Sequence, residues 1–166
     1  MSVIKLHKST VYEIKAPENY LRAMREDVAL LKQHKKYLSL TTIVLCCLDA
    51  LGAGPHKATD KTFAAFVQRH FPQLDADLGR LCPGKAGALT LYHRFRNGFA
   101  HERSPNKSFA IAEDHEIGGS WVSKIDVDGK IAIALNVDRL TREFLVLLDS
   151  LEKSQIPVGT TTEGGT

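Results

Sequence analysis

Residues 85–101, Lys85-Ala86-Gly87-Ala88-Leu89-Thr90-Leu91-Tyr92-His93-Arg94-Phe95-Arg96-Asn97-Gly98-Phe99-Ala100-His101, decide the fold. Within them Ala88, Leu91, Tyr92, Phe95 and Phe99 recur every three to four positions, so the stretch reads as one amphipathic helix laid on a core. Its other side is polar: His93, Arg96, Asn97 and His101, with Arg94 at the border. An α-helix turns about 100° per residue, which sets Arg96 and His101 about 140° apart, flanking one surface that faces away from the core. Gly98 weakens the last turn, because glycine inside a helix costs about 1 kcal/mol relative to alanine.

Upstream, the same period continues. Pro17 suits a first helical turn, and Tyr20, Leu21, Met24, Val28 and Leu31 follow at helical spacing. The polar cluster Lys32, His34, Lys35 and Lys36 suits a helix end, where cations oppose the negative pole of the dipole. From Tyr37 to Leu51 the chain is apolar on nearly all sides, as in the central helix of a bundle, and Gly52 to Pro55 supply a stop. Thr59 or Asp60 caps a helix carrying Phe63, Phe66, Val67 and His70, which Pro72 ends. Leu74, Leu78 and Leu81 form a short helical segment before Pro83-Gly84. Residues 1–16 read as an extended arm.

Downstream the period falls to two. Pro105 breaks the motif helix, and Phe109 with Ile111, residues 121–127 and residues 130–135 alternate as strands. Asp128-Gly129 is a two-residue hairpin turn, since both positions tolerate positive φ, and this reading outweighs a calcium loop that lacks its closing glutamate. Trp121 either covers this sheet or stacks on a base. Asn136 or Asp138 caps a last helix with Leu140, Phe144, Leu147, Leu148 and Leu151 inside. The expected architecture is mainly α, a bundle of four to five helices (residues 17–104) with a small antiparallel β-hairpin or meander (106–136) inserted before the C-terminal helix (137–154). Residues 1–156 form one domain, and the Thr/Gly-rich residues 157–166 are expected to be a disordered tail.

A formal charge of +3 over 166 residues is too weak for a dedicated duplex-binding protein, yet Arg94, Arg96, Arg103 and Lys107 gather around the motif, opposed mainly by Glu102. Cys46, Cys47 and Cys82 are odd in number and lack chelating spacing, so buried thiols in a reducing cytoplasm are expected rather than disulfides or a zinc site. The most hydrophobic run, Leu38 to Leu51, is too short and too polar to span a membrane.

Arg96, a polar Asn97 and, after four intervening residues, His101 resemble the signature of the HEPN superfamily (higher eukaryote and prokaryote nucleotide-binding domains). Arg94 also stands at an allowed spacing from His101. The resemblance implies a compact helical bundle that pairs as a homodimer. It also implies a metal-independent endoribonuclease needing no cofactor, its two motifs converging at the dimer cleft; other members have no catalytic activity. The β-rich stretch is then an insertion. The setting implied is a toxin pair or phage defence, with an antitoxin or other protein partner.

The residue chemistry agrees with that assignment. Metal-free RNA cleavage needs a base for the 2′-hydroxyl proton, an acid for the leaving oxygen and positive charge for the phosphorane. An imidazole, with an ordinary pKa of about 6.5, serves either proton role near neutral pH. A guanidinium stays charged and grips two phosphate oxygens, and Asn97 donates a further hydrogen bond or orients the imidazole. His101, Arg96 and Asn97 are therefore the catalytic candidates, and Arg94, Arg103, His93 and Lys107 the candidates for holding single-stranded RNA. Two alternatives stand beside this one: a non-catalytic helical dimer that binds a protein partner or a nucleotide, and a metal hydrolase built on His93, His101 and Asp114-His115-Glu116. In the quieter reading Arg96 pairs with an acid such as Glu102, and His101 bonds the end of its helix.

Overall fold

The computed structural model describes residues 17–98 and 108–155. The arm at 1–16, the tail at 157–166, and Phe99, His101, Arg103 and Lys107 lie outside the described residues.

The chain is mainly helical, with a small three-stranded sheet before its C-terminal helix. Helix α1 (Pro17–Gln33) buries Leu21, Met24 and Val28 against α2 (Tyr37–Ala53), whose Leu40, Val44, Leu45 and Leu48 have no exposed surface. Each such side chain contributes about 1.5–3 kcal/mol by leaving water, which is why the least polar stretch of sequence takes the middle of the bundle. Helix α3 (Asp60–His70) begins in a reciprocal cap: Thr59 Oγ1 accepts from the Thr62 amide at 3.1 Å, and Thr62 Oγ1 accepts from the Thr59 amide at 2.9 Å.

Pro72 does more than stop α3. It opens α4 (Pro72–Leu81), where a missing N–H costs nothing in the first turn. The short segment is thus a helix in its own right, and the described residues hold five helices before the sheet and one after it, as expected. Next comes α5 (Gly87–Thr90), pressed on α4 so closely that a Cβ on Gly87 would run into the Asp75 carbonyl and come within 2.8 Å of the Gly79 nitrogen. Asp75 Oδ1 accepts from the Ala88 amide at 2.7 Å, a cap supplied by the neighbouring helix.

From Leu91 to Arg96 the motif helix is wound as a π-helix, with Leu91 and Phe95 fully buried. This corrects the α-helical geometry expected of it. The estimate of about 140° between Arg96 and His101 falls on residues outside the described ones.

The strands β1 (Phe109–Ala112), β2 (Val122–Val127) and β3 (Lys130–Asn136) lie in the order β1-β3-β2. The β2–β3 pair is the expected antiparallel hairpin, turning at Asp128 (φ 52°) and Gly129 (φ 76°), with Asp126 Oδ1 accepting from the Gly129 amide. The sheet is nevertheless mixed, because β1 pairs parallel to β3, Phe109 opposite Ile133. Strand β3 therefore sits in the middle, and its Ala134, Leu135 and Asn136 are fully buried. Trp121 faces inward, edge-on to Phe71 at 6.1 Å with the Arg139 guanidinium 4.6 Å from its ring, so it covers core and does not await a base. Asn136 starts α6 (Val137–Gln155) by accepting from the Arg139 amide at 2.9 Å, and Leu140, Phe144 and Leu148 close the core.

None of the described helices is long and apolar enough to cross a membrane. The three cysteines are unpaired and half-buried rather than fully enclosed.

Candidate functional site

The π-wound segment projects its side chains onto three different neighbours. Tyr92 packs on Phe63 of α3, with ring centroids 5.2 Å apart. His93 points outward, its Nε2 3.5 Å from Asp60 Oδ2 at the start of α3. The Arg94 guanidinium lies 6.0 Å from the Phe109 ring on β1.

Arg96 turns inward. Its Nη2 donates to Asp49 Oδ2 at 2.7 Å, its Nη1 donates to Asn97 Oδ1 at 3.0 Å, and its guanidinium carbon lies 5.3 Å from the Tyr92 ring centre. Only 21 % of the Arg96 side chain and 5 % of the Asp49 side chain is exposed. The outward-facing Arg96 expected from an α-helical wheel is thereby corrected, because π winding carries the guanidinium toward α2. Among the described residues its acidic partner is an interior one 47 positions earlier, and Glu102, the surface partner expected, lies outside them.

The pair is incompletely matched. A bidentate guanidinium–carboxylate contact satisfies two oxygens with two N–H groups. Here Asp49 Oδ1 and Arg96 Nε are buried without a hydrogen-bond partner among the described residues. Removing such groups from water costs about 1–3 kcal/mol each when they stay unmatched, and Arg25 Nε, in the ion pairs to Asp149 and Glu152, is left in the same state. Asn97 is oriented by Arg96 through its oxygen, and its Nδ2 makes no hydrogen bond to another described residue.

Beside this pair a second feature opens. A cleft of about 300 Å³ is lined by Cys82, Pro83, Lys85, Thr90, His93, Arg94 and Phe109. Burial raises the pKa of the Cys82 thiol, while positive charge from Arg94 and Lys124 pulls it the other way.

The structure thus brings Arg96 and Asn97 together and places His93 and Arg94 at the cleft. His101, Arg103 and Lys107 lie outside the described residues. Reading the sequence did not single out Asp49 as a partner, although it is the sole charged residue of the run Leu38 to Leu51 and a lone carboxylate there demands a cation. Lys85, Thr90 and Phe109 were equally unmarked, since two separate segments carry them to one cleft.

The Asp114-His115-Glu116 string serves its own loop. Asp114 Oδ1 accepts from Asn136 Nδ2 at 2.8 Å, and Glu116 Oε2 accepts from the Glu113 amide at 2.6 Å. Among the described residues no group of three or more His, Cys, Asp or Glu side chains is arranged to hold a metal ion.

No protein-family model matches the chain, and no match to it was found among curated proteins or solved structures.

Proposed function

We propose that this chain is a HEPN-type, metal-independent endoribonuclease that cuts single-stranded RNA at a site completed by a second copy of itself. The observation that carries the reading is the state of Arg96: fixed by Asp49, Asn97 and Tyr92, but with its pairing to Asp49 left incomplete. A cation held in place before the phosphate arrives needs no reorganisation when charge develops on the phosphorane, and this is the largest electrostatic term a protein supplies to such a reaction. In the reaction His101 takes the proton from the 2′-hydroxyl, the 2′-oxygen bonds to phosphorus, and the bond to the 5′-oxygen breaks. Arg96 and Asn97 Nδ2 hold the non-bridging oxygens. The products carry a 2′,3′-cyclic phosphate and a 5′-hydroxyl, the leaving oxygen gaining its proton from the imidazole of the second copy. A two-fold dimer supplies that second imidazole and a second guanidinium. A cytoplasmic toxin or phage-defence role, with an antitoxin as neutralising partner, follows from such an activity.

A second reading, a non-catalytic helical dimer binding a protein partner or a nucleotide, draws on the same ion pair. A guanidinium already neutralised by Asp49 offers less to a phosphate.

The two part in one assay: purified chain with single-stranded RNA in EDTA, beside Arg96→Ala and His101→Ala, with helix content checked and mass measured by light scattering. The enzyme reading expects cleavage by a dimer, reduced about a hundredfold or more in each folded variant. An inert wild type overturns it in favour of the binding module.

A further inference from the structure

Three arginines at the surface have carboxylate partners, Arg22 with Glu26, Arg80 with Asp77 and Arg25 with Asp149 and Glu152, while Arg69 and Arg142 have none among the described residues. Lys85 and Arg94 also have none, and what sets them apart is that they share a cleft. Among the described residues neither has an acid within ion-pair distance, both are exposed, and both line the same cleft. Cations left together without a counter-charge repel each other, which is unfavourable unless an anion joins them. They come from different pieces of structure, the α4–α5 connection and the motif helix.

The cleft offers more than charge. Thr90, largely buried, makes no hydrogen bond through its hydroxyl to another described residue, and so keeps a donor for a ligand in the cleft it lines. Pro83 and Phe109 supply an apolar wall, and Phe109 is held edge-on by Phe95 at 5.2 Å. About 300 Å³ is at the small end of ligand sites, enough for one nucleotide and not for a duplex. No carboxylate lies among the described lining residues to repel an anion.

We infer that the cleft between the α4–α5 connection, the motif helix and β1 is a subsite for one nucleoside phosphate, with Lys85 and Arg94 on the phosphate oxygens, Thr90 donating to them, and the Pro83–Phe109 wall against the sugar or base. Arg94 makes the two-pronged contact that its planar fork allows, while Lys85 acts as a point charge. The phosphate belongs either to a free nucleotide or to the RNA chain next to the scissile linkage; only the second source rests on the nuclease reading above.

The test is calorimetric binding to the full-length chain. Adenosine 5′-monophosphate, inorganic phosphate and adenosine are titrated into wild type, Lys85→Gln, Arg94→Gln and, as a charge control outside the cleft, Lys153→Gln. A twelve-nucleotide RNA is titrated into His101→Ala protein carrying the same changes. Lys85 and Arg94 are exposed, so their substitution leaves the core intact. The subsite requires adenosine monophosphate or the RNA to bind about tenfold more weakly in each cleft variant and unchanged in Lys153→Gln, with adenosine alone not bound. Tight adenosine monophosphate binding identifies a free nucleotide as the occupant; RNA binding without it identifies a chain phosphate. Undiminished affinity in both cleft variants, or no binding of any phosphate ligand, overturns the subsite. Absence of RNA cleavage by wild type sinks the nuclease alone and leaves a positive binding result standing.

Discussion

Asp49 of α2 and Arg96 of the motif helix meet at 2.7 Å inside the bundle, with the carboxylate 5 % exposed. This contact joins the most apolar helix to the segment that carries the candidate chemistry. It therefore makes the stability of the fold and the placement of Arg96 one problem rather than two.

Truncating either partner strands a buried charge. Arg96→Ala and Asp49→Ala each lose about 3 kcal/mol, the usual penalty for breaking a buried pair, which is about 6–12 °C in Tm for a domain this size. Replacing both at once, Asp49→Leu with Arg96→Met, recovers most of that loss because no charge is left behind. The double variant is then a folded protein without the guanidinium, the form in which to test the nuclease proposed above. Thermal melts of the four proteins check the cycle; a double variant no more stable than Arg96→Ala would mean the pair is not the source of the loss.

Gly87 has its own prediction, since α4 and α5 touch there through backbone. A methyl group at this point meets the Asp75 carbonyl, which cannot swing aside as a side chain could. Gly87→Ala therefore forces the two helices apart and strains the Asp75–Ala88 cap, lowering stability by about 2 kcal/mol although alanine is the better helix former. Gly84→Ala, where nothing lies within 4 Å but φ is +104°, is a contrasting case, because strain there comes from the backbone alone. Denaturant midpoints of the two variants measure each effect.

Much of this fold was legible in the sequence because burial imposes a period. Leu40, Val44, Leu45 and Leu48 could only belong to an interior helix, Thr59 or Asp60 to a cap that the structure gives to Thr59, and Asp128-Gly129 to a hairpin turn. The π winding was not legible, since over the six residues Leu91–Arg96 the apolar spacing of an α-helix and of a wider helix are nearly the same. Nor was the parallel β1–β3 pairing: alternation tells which residues face inward, but not which strand lies beside which. Arg96 and Asn97 were legible as candidates from spacing alone. Their orientation was not, because Asp49 lies 47 positions away and only the packing of α2 on the motif helix brings it close.

The cysteines respond to pH in a predictable direction. Burial, with the neighbouring Cys46 and with Asp27, pushes the Cys47 thiol up to about 12, and burial raises Cys46 and Cys82 as well. Only the thiolate is nucleophilic, so a raised pKa means a smaller reactive fraction at any pH below it. Native protein should react with a disulfide reagent at pH 7–8 well below the rate of free cysteine, Cys47 slowest, with rates still climbing above pH 9 where a free thiol levels off. Unfolding in denaturant removes the difference. Rapid labelling of Cys47 at neutral pH in native protein would contradict its burial.

Asn136 ties the sheet to the last helix, and its loss should be felt in both. Fully buried at the end of β3, it donates through Nδ2 to Asp114 Oδ1 and to the Ser120 carbonyl, each at 2.8 Å, and accepts from the Arg139 amide at 2.9 Å. Its backbone amide donates to the Trp121 carbonyl at 3.0 Å. Asn136→Ala removes the side-chain bonds while leaving the backbone one, so Asp114, Ser120 and the first turn of α6 all lose a partner. The expected cost is about 3 kcal/mol, combining a lost helix cap with unmatched buried acceptors. Asn136→Asp keeps the cap to Arg139 but replaces a donor with a carboxylate facing Asp114, so it is no milder at neutral pH and improves as the pH falls and one carboxyl takes a proton. Hydrogen exchange locates the damage: faster exchange confined to residues 137–141 and to the loop before β2, with α1–α3 protected as in wild type, is the pattern this geometry requires, whereas uniform loss of protection would mean the whole bundle depends on this one amide.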